Sequence, residues 1–119
     1  MGKWIVEKNK GQIQQGDVWL ERVPEIPADA QPVSNGTKAV FAEGEGHHVH
    51  RAATAGSVEL YEKNGMRYAR VLRRTSIEHV TPDGRRGEHR SIRLEPGDYQ
   101  YGQVVEYDYL AEMAREVVD

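Results

Sequence analysis

The stretch SVELYEKNGMRYARVL, residues 57–72, constrains the fold more than any other part of the chain. Asn64 and Gly65 are the residue pair best suited to the two positive φ angles of a type I′ turn. Alternating apolar and polar residues flank the pair on both sides, which is the pattern of two strands that each bury one face. The stretch therefore predicts a β-hairpin with a two-residue turn.

The turn also sets which residues of the hairpin lie opposite each other. It pairs Lys63 with Met66, Glu62 with Arg67, Tyr61 with Tyr68, Leu60 with Ala69, Glu59 with Arg70, and Val58 with Val71. The apolar residues then share one face as core. On the other face Tyr61 meets Tyr68 and Glu59 meets Arg70, and each such pair contributes about 0.2–1 kcal/mol. A register one residue off would lose all of these contacts.

Further short runs separated by turn signals indicate more strands. They are GDVWLERV (16–23), TKAVFAE (37–43), a second hairpin around the turn at 82–84, and a last strand over about 98–107. In the first run Val18 and Leu20 share a face, and in the last Tyr99 and Tyr101 do so, as expected of half-buried strands. The chain is therefore predicted to be all-β, a compact single domain built as an antiparallel β-sandwich or barrel.

Three segments are predicted to lie outside the sheets. The proline-rich segment PEIPADAQPVSNG, residues 24–36, is expected to be a connection because proline cannot donate inside a sheet. Residues 1–12 are polar, and both a loose arm and an edge strand remain open for them. Apolar residues repeat at helical spacing behind Asp108, so residues 108–118 are predicted to form a short C-terminal amphipathic helix.

Composition restricts the chemistry. The 119 residues include no cysteine, which excludes disulfides and thiolate ligands, so any metal must be held by nitrogen and oxygen. No apolar run approaches the roughly 20 residues of a membrane span, and the N-terminal segment lacks the apolar core of a signal peptide. We therefore expect a cytoplasmic protein with no membrane association.

The segment EGEGHHVHRAA, residues 43–53, contains three of the five histidines. In an extended strand His48 and His50 project from the same face, because side chains alternate along a strand. Two such imidazoles can each present a nitrogen to one divalent ion at about 2.0–2.1 Å, but a stable site needs a third and usually a fourth ligand. The spacing therefore predicts a metal site that includes His48 and His50.

His79 and His89 are the candidates for the remaining ligands. They flank the turn at 82–86, and a five-residue loop there would set them directly opposite each other. The apolar pattern argues against both histidines being ligands of one metal. His79 shares a strand face with the apolar Ile77, whereas His89 does not share a face with the apolar Ile92. Two solutions remain open: a bulge near Gly87, or a different register.

If only one of these two histidines joins, a carboxylate from Glu43 or Glu45 would complete the site. The predicted metal ligands are therefore His48, His50, His79 and His89, and the cofactor is a divalent transition metal, namely zinc, nickel, manganese or iron. Partial convergence is the expected arrangement, with one of the two hairpin histidines beside His48 and His50.

The sequence also resembles two groups of proteins. GEGHHVHR, followed by later histidines and LEPGDY, is similar to cupins, and this resemblance implies a cupin-like barrel with a metal. The match departs from the cupin pattern because no glutamate follows His50 until Glu59 and no histidine follows the Pro96-Gly97 turn. From QQGDVWLERV to VVEYDY the chain also resembles small bacterial or phage-encoded proteins with a QGDV start and a GHxHR element. That resemblance implies that His48, His50, Arg51, His79 and His89 belong to one set of functional residues.

Two functions follow as hypotheses. The first is a small metal-binding domain, with metal-assisted chemistry or small-molecule binding left open, and with Glu43 or Glu45 as the candidate general base. The second is a module that holds an anionic partner, an acidic protein or, with less support, nucleic acid, on basic hairpins. Its arginines are Arg67, Arg70, Arg73, Arg74, Arg85, Arg86, Arg90 and Arg93. The sequence leaves open whether the chain is an enzyme and whether it assembles as a homo-oligomer.

Overall fold

The computed structural model describes residues 12–33, 36–43, 48–85, 87 and 90–104. Within these ranges the chain forms β1 (Gln12–Gln15), β2 (Val18–Arg22), β3 (Gln31–Val33), β4 (Val40–Glu43), β5 (Val49–Ala52), β6 (Val58–Lys63), β7 (Met66–Val71), β8 (Thr75–Val80), β9 (Ile92–Leu94) and β10 (Gly97–Gln103). No part of these ranges is a helix long and apolar enough to cross a membrane. The predicted helix at 108–118 and residues 1–11 of the predicted arm at 1–12 lie outside the described residues, and Gln12 begins β1.

The strands form two antiparallel sheets. Sheet A has the order β1-β2-β10-β7-β6-β3, and sheet B has the order β4-β5-β8-β9. Neighbouring strands pair antiparallel in both sheets. The predicted all-β, antiparallel class is therefore confirmed over the described ranges.

One hydrophobic cluster joins the two sheets. Sheet A contributes Val18, Leu20, Leu60, Ala69, Val71, Tyr99 and Tyr101, and sheet B contributes Phe41, Ala42, Ala52, Ile77 and Leu94. Most of these residues occupy every second position of their strands, so each sheet turns one apolar face to the cluster. Val18 and Leu20 share the buried face of β2, as their alternation predicts.

The hairpin of β6 and β7 has the predicted register at every one of its six pairs, from Val58 with Val71 to Lys63 with Met66. The turn residues Asn64 and Gly65 have φ angles of 50° and 80°. Both values are positive, as a type I′ turn requires. The local sequence thus decides this element.

The prediction that residues 24–36 stay outside the sheets is wrong for Gln31–Val33. These residues form β3, which pairs with β6 at one edge of sheet A. Pro32 is tolerated there because an edge strand has one side on which no ladder hydrogen bond is needed. The proline rule excluded a central strand but not an edge strand.

Tyr99 and Tyr101, the two inward-facing tyrosines of β10, have different surroundings. The hydroxyl of Tyr99 donates a hydrogen bond to the backbone oxygen of Glu95 at 2.7 Å. The ring of Tyr101 meets Phe41 edge-on, with centroids 5.3 Å apart and planes at 88°. Burial raises the pKa of both phenols. The tyrosines therefore extend the core but keep their protons to higher pH than exposed phenols.

We expect the substitution Gly65→Val to lower the free energy of unfolding by about 1–2 kcal/mol, because a β-branched residue is strained at positive φ. A Cβ at Gly65 would have no atom within 4 Å, so strain in the backbone is the whole effect. Gly65→Asn is the matched control, since asparagine tolerates the left-handed region. Chemical denaturation should show the loss for valine, and an equal loss for asparagine would contradict the assignment.

We expect the free energy of unfolding to fall as pH rises above about 10, where an unfolded tyrosine loses its proton. Because the pKa of folded Tyr101 is raised, the native state keeps a proton that the unfolded chain releases. Tyr101→Phe removes this contribution, so its stability should fall less between pH 8 and 11 than that of the parent. Tyr68→Phe, on the opposite face of sheet A, is the control. Parallel pH profiles for parent and Tyr101→Phe would refute the argument.

Candidate functional site

His50 and His79 lie opposite each other in sheet B. They are paired in the register of β5 and β8, two residues along each strand from the pair Ala52 and Ile77. All four side chains face the core side of the sheet, and only 2% of His50 and 5% of His79 is exposed. Buried imidazoles require polar partners, so their surroundings decide what they can do.

Three imidazole rings are adjacent. The ring centroids of His50 and His79 are 4.6 Å apart with 35° between the planes. The centroids of His48 and His79 are 5.1 Å apart with 59° between the planes. The structure therefore brings together three of the four predicted ligands, with His79 in contact with both members of the His-Val-His segment.

Gln15 fixes the tautomer of His50. Its Nε2 donates to the backbone oxygens of Ile77 at 3.0 Å and Arg90 at 2.5 Å. A carbonyl oxygen only accepts, so the amide orientation is determined and Oε1 is the atom that faces Nδ1 of His50, at 2.8 Å. Nδ1 must therefore carry a proton. In neutral His50 the lone pair then belongs to Nε2.

Asp17 lies on the Nε2 side of His50. Its Oδ1 is 3.7 Å from Nε2, and its side chain is 44% exposed. The other carboxylate oxygen, Oδ2, accepts a hydrogen bond of 2.7 Å from Nε2 of Gln103. Asp17 sits in the tight turn between β1 and β2, and Gln103 ends β10. The side-chain amide of Gln15 thus orients His50, and that of Gln103 orients Asp17.

The distance between Nε2 of His50 and Oδ1 of Asp17 is close to the distance between two ligand atoms that bind the same metal ion. Two donor atoms that each lie about 2.1 Å from one ion are separated by roughly 3.4 Å at a tetrahedral angle. The observed 3.7 Å is close to that value. Among the described residues, however, no group of three or more His, Asp or Glu side chains is arranged to hold a metal ion. The described residues therefore supply two facing atoms that could bind a metal ion, Nε2 of His50 and Oδ1 of Asp17.

His79 is confined by the backbone that returns from the turn after β8. The amide of Gly87 donates to the backbone oxygen of His79 at 2.5 Å. A Cβ at Gly87 would lie 2.2 Å from Nδ1 of His79, so only glycine leaves room for the ring there. The Gly87 contact and the flanking rings of His48 and His50 limit the rotation of His79.

The chain that returns from the turn after β8 does not keep one regular register with β8. Gly87 forms the backbone bond with His79, and β8 and β9 pair Ile77 with Ile92. Two residues separate His79 from Ile77 on β8, whereas five separate Gly87 from Ile92 on the returning chain. The extra residues remove the conflict in the apolar pattern, because Ile77 and Ile92 now face the same side. His89 itself lies outside the described residues.

Glu43, one of the two carboxylates proposed to complete the site, faces away from His50. Glu43 pairs with Val49, on the face of sheet B opposite to His50. Glu45 lies outside the described residues. Glu43 is therefore poorly placed as a ligand or general base, and Asp17 is the described carboxylate that faces an imidazole.

The arginines of the second hypothesis are divided between two surfaces. Arg70, Arg74 and Arg85 pair with Asp98, Glu95 and Asp83 at 3.2, 3.2 and 3.4 Å. Alternation places Arg70 on the outer face of sheet A and Arg93 on that of sheet B. Arg86 lies outside the described residues. The described arginines do not form one continuous basic face.

Sequence reasoning missed Gln15, Asp17 and Gln103. A signal for Gln15 was present, because Gln15 follows Ile13 at the strand period and precedes the tight turn at Gly16. A polar residue on the core face of a short strand indicates a buried hydrogen-bonding role. Nothing local indicated Asp17 or Gln103, since they are distant in sequence and meet only in the folded chain.

Comparisons with known proteins give one family. A family model described as a domain of unknown function, DUF8820, matches residues 14–103, which is 90 of the 119 residues. The matched span includes Gln15, Asp17, His50, His79 and Gln103. No curated protein and no solved structure matches the chain.

We expect Gln15→Leu to lower the free energy of unfolding by about 1–3 kcal/mol, because it removes the side-chain hydrogen bonds to His50 and to the backbone oxygens of Ile77 and Arg90. Gln14→Leu is the matched control, since Gln14 is exposed and its side chain donates to the nearby backbone oxygen of Gly16. Denaturation measures both changes, and nitrogen-15 NMR of the imidazoles reports the tautomer of His50. Equal stability losses, or an unchanged tautomer in Gln15→Leu, would contradict this role of Gln15.

Proposed function

The chain belongs to the DUF8820 family, and we propose that it binds a divalent transition metal at the histidine centre. In this proposal Nε2 of His50 and Oδ1 of Asp17 are two of the ligands, and an imidazole of His48 or His79 supplies the third. The observation that carries the proposal is the pair of facing donors, each oriented by a glutamine amide.

The support for His50 comes from its hydrogen bond to Gln15. Histidines that ligate metals almost always donate their other ring N–H to a fixed acceptor, which sets the tautomer and the ring orientation. Gln15 Oε1 is such an acceptor, and its own amide is anchored by two backbone carbonyls. His50 therefore has the hydrogen bonding of an Nε2 ligand.

The support for Asp17 is similar. The amide of Gln103 holds Oδ2, which leaves Oδ1 on the side of His50. A carboxylate and an imidazole together form a mixed oxygen and nitrogen donor set. Such a set suits zinc, nickel, manganese and iron, and the chain has no thiolate to favour softer ions.

The third ligand requires a ring to rotate, because the described residues hold no preformed set of three. His48 is half-buried and directly precedes β5, whereas His79 is buried and confined by Gly87. We therefore favour His48 as the third ligand, with His79 as the ring that packs between the two. His89 stays a candidate on sequence grounds. A site with three protein ligands would leave a position for water or an oxygen-containing small molecule.

We also infer that the two sheets form a β-sandwich and not a cupin-like barrel. The support is that sheets A and B share one hydrophobic cluster, while no strand pair in the described ranges joins them. A closed barrel needs continuous pairing around its circumference. In the sandwich the histidine centre lies at one end of the shared core, beside the β1–β2 turn.

Isothermal titration calorimetry with zinc, nickel and manganese tests the metal proposal. We expect about one ion per chain, and at least tenfold weaker binding for Asp17→Asn and for the double variant His48→Ala/His50→Ala. Asp83→Asn is the matched control, because Asp83 is an exposed carboxylate in the turn after β8. Binding should weaken as pH falls through about 6.5, where free imidazoles take up protons that compete with the metal.

Single variants of His48 and His79 identify the third ligand. His48→Ala should weaken binding more than His79→Phe, which keeps a ring in the packed position. Thermal unfolding of each variant without metal separates loss of binding from loss of folding. The proposal fails if the parent binds none of the three metals, or if Asp17→Asn binds as tightly as the parent.

A further inference from the structure

Among the described strands, β9 is an edge of sheet B, and it is distinct from the histidine centre proposed to bind a metal. It pairs with β8 on one side and is the last strand in the sheet order. Ile92 and Leu94 turn toward the core, and Leu94 is fully buried, whereas Arg93 is exposed on the outer face. The edge therefore combines a core-facing apolar side with a charged outer side.

The backbone of Arg93 points toward the open side of this edge. The backbone oxygen of Ser76 accepts a hydrogen bond of 2.8 Å from the amide of Ala53, so the polar groups of Ser76 face β5. In an antiparallel pair, hydrogen-bonded and non-hydrogen-bonded positions alternate, and Ser76 with Arg93 is therefore a non-hydrogen-bonded position. The N–H and C=O of Arg93 are thus directed away from β8, where a further strand would pair.

Two arginines near this edge have no carboxylate partner within the described part of the chain. Arg51 and Arg74 are paired, the first with Glu78 at 2.8 Å and the second with Glu95 at 3.2 Å. Arg90 and Arg93 are exposed, and no ion pair joins either of them to a described carboxylate. This local excess of positive charge occurs in a chain whose net charge is −3.

We propose that β9 binds an extended acidic segment of a partner protein, which adds to sheet B as a fifth strand. Main-chain hydrogen bonds to Arg93 would provide pairing, and alternate side chains would provide specificity. Residues of the added strand on the side of Ile92 and Leu94 would be apolar, and those on the side of Arg93 would be acidic. The favoured ligand is therefore a segment in which acidic and apolar residues alternate.

Fluorescence anisotropy with a labelled eight-residue peptide of alternating glutamate and valine tests this proposal. We expect saturable binding that weakens with added salt, and at least tenfold weaker binding to Arg93→Glu. Arg85→Glu is the matched control, because Arg85 is exposed but already paired with Asp83 in the turn. It should stay within twofold of the parent. A peptide with lysine in place of glutamate should not bind.

Two peptides separate strand addition from simple charge attraction. They carry N-methyl groups at the glutamates or at the valines, so each loses the hydrogen-bond donors of one strand side. Strand addition predicts that one of them loses binding and the other keeps it, whereas charge attraction treats both alike. Equal binding of both, tighter binding of an eight-residue oligothymidylate, or no binding of the glutamate peptide would overturn the proposal. In the last case the arginines only protect the edge from aggregation.

Discussion

The hydrogen bonds of the Gln15 side chain tie together the parts of the molecule on which the candidate site depends. From the end of β1 in sheet A, one amide reaches His50 on β5, the carbonyl of Ile77 on β8, and the carbonyl of Arg90 ahead of β9. Gln15 is only 2% exposed. Unpaired, each of these buried groups would cost about 1–3 kcal/mol. The Gln15 hydrogen bonds therefore restrict how the two sheets can pack against each other, as the apolar cluster beside them does.

The core changes character along its length. Its middle is a cluster of aliphatic and aromatic side chains in which Phe41 and Tyr101 meet edge-on. Toward the β1–β2 turn the same faces carry His50 and His79 in place of aliphatic residues, and Asp17 reaches them from the partly exposed turn. An aliphatic middle supplies the stability that a polar end does not. The polar end can therefore hold oriented imidazoles at little cost to the stability of the fold.

The two proposed sites meet at Arg90. Its backbone oxygen accepts the hydrogen bond of Gln15, while its exposed side chain contributes to the charge near the β9 edge. The segment between Gly87 and Ile92 also carries the extra residues that let β8 and β9 align their apolar faces. Arg93, whose main chain is proposed to pair with an added strand, follows Arg90 by three residues in the sequence.

The sequence by itself determined the elements whose causes are local. Asn64 and Gly65 decide the β6–β7 register because the positive φ angles of the turn leave one pairing, and the His-Val-His spacing puts two imidazoles on one face. The tertiary structure decided where distant parts of the chain meet. Asp17 and Gln103 are 86 residues apart and bond only because β2 and β10 are neighbours in sheet A. Pro32 joined a sheet because its strand became an edge, and His79 met Gly87 because five residues separate Gly87 from Ile92 whereas two separate His79 from Ile77. Turn geometry and strand alternation act over a few residues, whereas sheet order and strand offset depend on the packing of the whole core.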